Sequence, residues 1–293
     1  MRFGIVILPD QRWSEAGRRW RLAEEYGFDH AWTYDHLGWR DLVDGPWFDA
    51  VPTLTAAAMV TERIRLGTYV ATPNFRHPVR FARETTALDD ISGGRLLLGL
   101  GAGGIGFDSA VLGGDELSPR ARVDRFAEFL ELFDTILRSP STTWSGSYFT
   151  AIDARSTPGP WQQPRPPFVV AANGPRALRL AARYGDGWVT TGPQAETTKQ
   201  WWYEVAEIRD RFETALAAAG RAPETVDRYL NLDSAPVFSM SSVDAFQEAV
   251  GRAAELGFTD VITHWPRQSS WYAGEEKVLE EVAAGLPRLR TTI

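Results

Sequence analysis

The stretch Arg95–Asp108, RLLLGLGAGGIGFD, decides how the whole chain is read. Leu96, Leu97 and Leu98 make an apolar run of strand type; five glycines follow (Gly99, Gly101, Gly103, Gly104, Gly106), and a helical pattern starts after Ser118. The pattern Gly-x-Gly-x-x-Gly occurs twice, from Gly99 and from Gly101, as in the turn that binds dinucleotides. That turn belongs to the first βαβ unit, with a helix opening at the glycines and a second strand soon after. Here three strand–helix units come first and no second strand follows promptly. The glycines need another explanation.

Working outward from this stretch, strand patterns cover Arg2–Pro9, Asp29–His36, Ile64–Ala71 and Arg95–Gly101, and helical spacing covers the segment after Ser14, then Ala50–Thr61, Pro78–Ile91 and Pro119–Arg138. Ser14 reads as a helix cap, and Pro78 and Pro119 stand where helices tolerate proline. Between Ser139 and Pro167, Ser, Thr, Pro and Gly dominate around a short hairpin, Thr142–Thr150. Strands then resume at Phe168–Ala172, Gly187–Thr191, Arg228–Phe238 and Phe258–Trp265, each followed by a helix: Pro175–Tyr184, Glu196–Ala219, Val243–Leu256 and Glu275–Leu289. Four units on either side of the insertion make eight. The expectation is an α/β fold, a (β/α)8 TIM barrel forming one domain over 1–293, with an insertion at about 139–167 between helix four and strand five; an open doubly wound sheet is the alternative. Three junctions look alike, RLAEEYGFDHAW from Arg21, RLAARYGDGWVT from Arg179 and RAAELGFTDVIT from Arg252, each with a glycine where a left-handed helix cap would sit.

The totals restrict the function. The 293 residues are 44% hydrophobic with a net charge of −7 and no basic face, so nucleic acid is not the expected partner. There is no cysteine, hence no thiolate ligand, thiol nucleophile or disulfide, which fits a reducing compartment and a cytoplasmic protein. Phe3–Leu8 reads as a first strand rather than a signal peptide, and no apolar run reaches the ~18 residues of a membrane helix. The first strand has no histidine, which argues against a metal-dependent barrel hydrolase, and no metal is expected.

In such a barrel the chemistry lies at the C-terminal ends of the strands. Asp35 and His36 end strand two, where a carboxylate beside an imidazole can serve as a general acid/base; a plain polar strand exit is the other reading. His264 and Trp265 end strand eight, and Trp39, Trp47 and Trp271 fall in or beside loops on the same rim, suited to an apolar or planar ligand or to packing. Asn173, Gly174 and Pro175 open a helix whose free N–H groups make either a phosphate seat or an ordinary turn. The strand-four glycines let the backbone approach a flat ring.

Taken together, Trp32-Thr33-Tyr34-Asp35-His36, the block IRLGTYVATPNFRHPVRFARETTALDDISGGRLLLGLGAG from Ile64 to Gly103, and AANGPRALRLAARYGDGWVTTG from Ala171 to Gly192 resemble the bacterial luciferase-like monooxygenase superfamily along almost the whole chain. Asp-His after strand two is similar to the branch that uses the deazaflavin coenzyme F420. The resemblance implies an F420-dependent oxidoreductase that moves a hydride to or from a small organic substrate, with an FMN-dependent two-component monooxygenase or a non-catalytic flavin-binding relative as alternatives. It implies His36 as acid/base, Asp35 against the deazaflavin, and a cis peptide at Tyr69-Val70. Ala71, Gly101, Ala102, Gly103 and Thr191 would complete the coenzyme's surroundings, with Asn173, Gly174 and Pro175 around its phosphate. Trp39, Trp47, His264 and Trp265 would face the substrate. A homodimer and a separate reductase supplying reduced cofactor also follow from the resemblance. The sugar-phosphate dehydrogenases of this branch have a glutamate where this chain has Gly104; Asp108 is the nearest carboxylate, and no basic cluster for a substrate phosphate is evident in the sequence.

Overall fold

Short apolar strands alternate with amphipathic helices throughout the computed structural model, which describes residues 1–292. The first half runs β1 (Arg2–Val6), α1 (Trp13–Glu25), β2 (His30–Thr33), α2 (Ala50–Ala58), β3 (Arg65–Thr68), α3 (Pro78–Ile91), β4 (Leu96–Leu100), α4 (Phe107–Ala110) and α5 (Pro119–Arg138). A hairpin of β5 (Ser141–Ser145) and β6 (Thr150–Arg155) follows. The second half runs β7 (Phe168–Ala171), α6 (Pro175–Tyr184), β8 (Gly187–Thr190), α7 (Thr198–Ala218), β9 (Asp227–Asn231), α8 (Val243–Glu255), β10 (Asp260–His264) and α9 (Glu276–Thr292). Eight parallel strands close a (β/α)8 barrel in the order β1-β10-β9-β8-β7-β4-β3-β2. The expected insertion is the hairpin, which lies between α5 and β7. β2, β4, β8 and β10 are buried at every residue, which is why they read as continuous apolar runs rather than alternating ones.

Helix starts follow local chemistry. Pro78, Pro119 and Pro175 stand in first turns, and Ser118, Thr197 and Ser242 each accept a backbone N–H from inside the helix they open. Ser14 does not cap α1, which already begins at Trp13. Of the three look-alike junctions, Gly27 and Gly257 have φ of +82° and +76°, but Gly185 has φ −75°. Gly185 is needed for space instead: a Cβ there would lie 2.7 Å from the Ala181 and Gly187 carbonyl oxygens. The expected strand Arg228–Phe238 stops at Asn231, because the Asn231 side chain accepts the Asp233 N–H at 2.9 Å and turns the chain into a 3-10 segment. The short α4 inside the glycine-rich segment has no counterpart in the sequence reading.

Contacts group the chain into two compact units. One gathers Met1–Leu8, Arg18–Trp32 and the chain from Val169 onward; in it Trp188 stacks on Phe212 with centroids 4.3 Å apart. The other gathers Pro9–Gly17 and Thr33–Phe168; its core is a ring stack in which Phe133 lies 5.2 Å from Phe81 and 5.4 Å from Phe168. The Glu128 carboxylate of α5 accepts the N–H groups of Ser147, Tyr148 and Phe149, tying the turn of the hairpin to that helix.

Candidate active site

Asp35 and His36 stand just beyond the end of β2, and their side chains take different partners. Asp35 is buried, with Oδ1 and Oδ2 accepting from Arg76 Nη2 (2.5 Å) and Nε (3.1 Å). Arg76 also pairs with Asp49 at 3.1 Å and Glu84 at 3.2 Å, and stacks over Phe75. Burial pushes the Asp35 carboxyl above its ordinary value, against the pull of Arg76. On Arg76 burial works against the charge and is outweighed by the Asp35 hydrogen bonds, so the guanidinium stays firmly protonated. Asp35 therefore faces Arg76 and not an opening where a coenzyme could meet it, a correction to the contact expected from the sequence. Arg76 itself went unnoticed there: it is 41 residues from its partner, and a single arginine before a helix carries no signal.

The His36 side chain is 26% exposed, and its Nδ1 lies 2.5 Å from Asp108 Oδ2. The other Asp108 oxygen accepts the N–H of Leu37 at 2.7 Å, so one buried carboxylate holds both the ring and its backbone. With Nδ1 so occupied, Nε2 is the ring nitrogen that remains for a ligand. Aromatic rings flank it: Tyr34 lies 5.7 Å from the His36 ring, 5.1 Å from Trp39 and 6.1 Å from Tyr69. Trp47 is half-buried and donates its indole N–H to the His36 carbonyl at 2.8 Å. Trp39, through Tyr34, and Trp47, through the His36 carbonyl, thus pack around His36.

The Tyr69-Val70 peptide is cis, as the resemblance implies. Ala71 bridges to Leu100, and its carbonyl accepts the Gly101 N–H at 2.9 Å, which joins the exits of β3 and β4. The glycines, however, answer first to the protein's own packing. A Cβ on Gly99 would lie 2.0 Å from the Thr68 carbonyl oxygen, and Gly103, at φ +74°, is covered by the Asn74 side chain. Ala102 and Gly103 are half-buried, and Gly104 is exposed. Asn74, beyond the end of β3, donates to the Gly104 carbonyl at 3.1 Å and accepts from Arg125 at 2.5 Å.

In the other unit, the Asn173 amide is engaged internally, donating to the Gly192 carbonyl at 3.0 Å and accepting from Thr190 Oγ1 at 2.6 Å. Gly174, Pro175 and Thr191 are exposed, and no acidic residue occupies the first turn of α6. His264 and Trp265 are corrections, since both are buried. His264 Nδ1 pairs with Asp233 at 2.8 Å and its ring stacks on Tyr272 at 3.7 Å; burial pushes its pKa down. Trp265 stacks on Tyr26 and donates to Glu276 at 2.9 Å, facing α1 and α9. Neither offers a surface to a substrate. Among the described residues no three His, Asp or Glu side chains gather as a metal would require.

The model of the family described as luciferase-like monooxygenase matches residues 1–285. The chain belongs to that family. This luciferase-like protein is 32% identical over 216 residues to the F420-dependent glucose-6-phosphate dehydrogenase of Amycolatopsis mediterranei (strain U-32), covering 72% of this chain and 61% of the relative. It is 27% identical over 266 residues to the 5,10-methylenetetrahydromethanopterin reductase of Archaeoglobus fulgidus, covering 91% of this chain and 71% of the relative. The first of these matches spans less than two thirds of the relative's length. Among solved structures, an F420-dependent secondary alcohol dehydrogenase in complex with an F420-acetone adduct superposes with a TM-score of 0.78 over 96% of this chain and 97% of that one. At 19% identity this speaks for the shared fold.

Proposed function

We propose that the chain is an F420-dependent oxidoreductase moving a hydride between the deazaflavin and a small organic substrate. The observation that carries the reading is the His36–Asp108 couple: a partly exposed imidazole whose Nδ1 is occupied and whose Nε2 is left for a ligand. The names of the relatives, F420-dependent or acting on a pterin, point the same way. The residues fit such a coenzyme. A Cβ on Gly174 would meet nothing within 4 Å, so the start of α6 offers open backbone N–H groups to a phosphate. Tyr69, Val70 and Ala71, with Gly101, Ala102 and Gly103, would back the deazaflavin ring, and of these Val70, Ala102 and Gly103 are half-buried; Thr191, exposed like Gly174, would belong with the phosphate seat.

When bound, the deazaflavin supplies the carbon that takes or gives the hydride. Asp108 fixes the ring and tautomer of His36. His36 Nε2 takes the proton that the substrate loses on oxidation, or returns it on reduction. Arg76 and Asp35 hold the backbone that carries His36, and Trp39 and Trp47 shield it from water. The reading carries with it a cytoplasmic homodimer, one domain over 1–293, and a separate reductase that supplies reduced coenzyme. The family description favours a second reading, an FMN-dependent monooxygenase.

Titration of the purified chain with both cofactors separates the two: F420 binding in the micromolar range is expected, and FMN binding without F420 binding would overturn the proposal. With an accepted substrate in hand, His36→Ala is expected to lower kcat/KM by about 10²- to 10⁴-fold while leaving coenzyme affinity nearly unchanged. Unchanged turnover in that variant removes His36 from the chemistry.

A further inference from the structure

Arg122 and Arg125, on successive turns of α5, line a cavity of about 330 Å³ bordered by Gly104, Asn74 and Tyr148. Their surroundings differ from those of the protein's buried arginines. Arg76, Arg165 and Arg228 each have a carboxylate within 2.5 to 2.7 Å. Among the described residues neither Arg122 nor Arg125 has one. Arg125 Nη2 donates to the neutral Asn74 amide at 2.5 Å, its Nε is buried with no partner, and Arg122 donates to the Leu117 carbonyl at 3.2 Å. Burial draws the Arg125 guanidinium below its ordinary value, and Arg122 adds to that against Tyr148. Asp115 and Glu116 border the same cavity from the exposed loop after α4, yet no ion pair joins them to either guanidinium.

A partly desolvated cation beside a second cation, held only by neutral acceptors, is unfavourable unless an anion completes it. Guanidinium groups match the planar geometry of carboxylate and phosphate, and a phenol can add a third donor. Asn74 connects the site to the β4 exit, holding Arg125 with its oxygen and the Gly104 carbonyl with its nitrogen. Gly104 leaves the wall on that side without a side chain, and a Cβ there would meet nothing within 4 Å.

We propose that this cavity seats an oxyanion, a carboxylate or phosphate group, carried by the substrate. The word substrate rests on the oxidoreductase reading; the anion seat does not. The basic cluster that the sequence did not reveal is formed by two arginines three positions apart on one helix, closed by a neutral asparagine from the loop between β3 and α3.

The test uses the full chain without coenzyme. Inorganic phosphate and acetate are titrated against chloride of equal ionic strength, with the thermal unfolding midpoint as readout. A saturable rise is expected, and Arg125→Gln is expected to weaken it about tenfold or more, the loss of a charge-assisted hydrogen bond. Should Arg125→Gln not fold, Arg122→Gln and Gly104→Asp replace it. The latter puts a carboxylate into open space beside the arginines and is expected to abolish anion binding with the fold retained. An absent rise in the parent chain, or an equal rise in the variants, overturns the proposal. Repeating the titration with saturating F420 identifies the carrier: additive stabilisation supports the substrate, and mutual exclusion makes the anion the coenzyme's own and overturns that half. An anion response in a chain that does not bind F420 keeps the seat and rejects the redox reading.

Discussion

At the residue scale two neighbours in sequence take different partners. Asp35 and His36 were picked out together because they end a strand, but past Thr33 they separate, one turning to Arg76 and the other to Asp108. Arg76→Met leaves the Asp35 carboxylate buried without its counterion, so a loss of about 3 to 5 kcal/mol is expected in urea unfolding. Adding Asp35→Leu to that variant is expected to restore part of the loss, because the uncompensated charge goes with it. Nothing local foretold these partners. Asp108 was visible as the nearest carboxylate to the glycines, yet its hold on His36 spans 72 residues, and only tertiary structure brings them together.

At the scale of elements, what depends on neighbours in sequence was legible and what depends on crowding was not. The helices at Pro78–Ile91, Pro119–Arg138 and Pro175–Tyr184 lie where their prolines and caps put them. The end of β9 was missed because one asparagine side chain competes with the strand ladder. In sequence the β4 glycines look like a floor for a ligand, while in the structure Gly99 is required by the Thr68 carbonyl of the adjacent β3. Gly99→Ala is therefore expected to force β3 and β4 apart and cost about 1 to 3 kcal/mol of stability, measured by thermal or urea unfolding even with no ligand present. If alanine there leaves stability untouched, the close approach of the two strands is not what selects glycine.

At the scale of the whole molecule, counting eight strand–helix units was enough to anticipate the closed barrel, because the periodicities of strand and helix survive errors at every boundary. The dependence of stability on pH is a property of this scale. Burial keeps His264 below its ordinary value near 6.5, and burial lowers His77 as well. An unfolded chain takes up protons that these rings refuse when folded, so stability is complete above about pH 6.5 and declines as pH falls below it. The urea midpoint is expected to drop between about pH 7.5 and about pH 5.5, and His264→Gln is expected to flatten that slope. A midpoint independent of pH in this window would remove the buried neutral imidazole. Closure has a further consequence, in time. Arg2 of β1 pairs with Asp260 of β10 across 258 residues, and Arg290 reaches back to Asp29. At ribosomal rates of about 5 to 20 residues per second, the apolar β1 waits roughly 13 to 52 s for the strand that covers its open edge. During that interval β1 has no neighbour on that side, and the Arg290–Asp29 pair, which ties α9 to the residues between α1 and β2, forms later still.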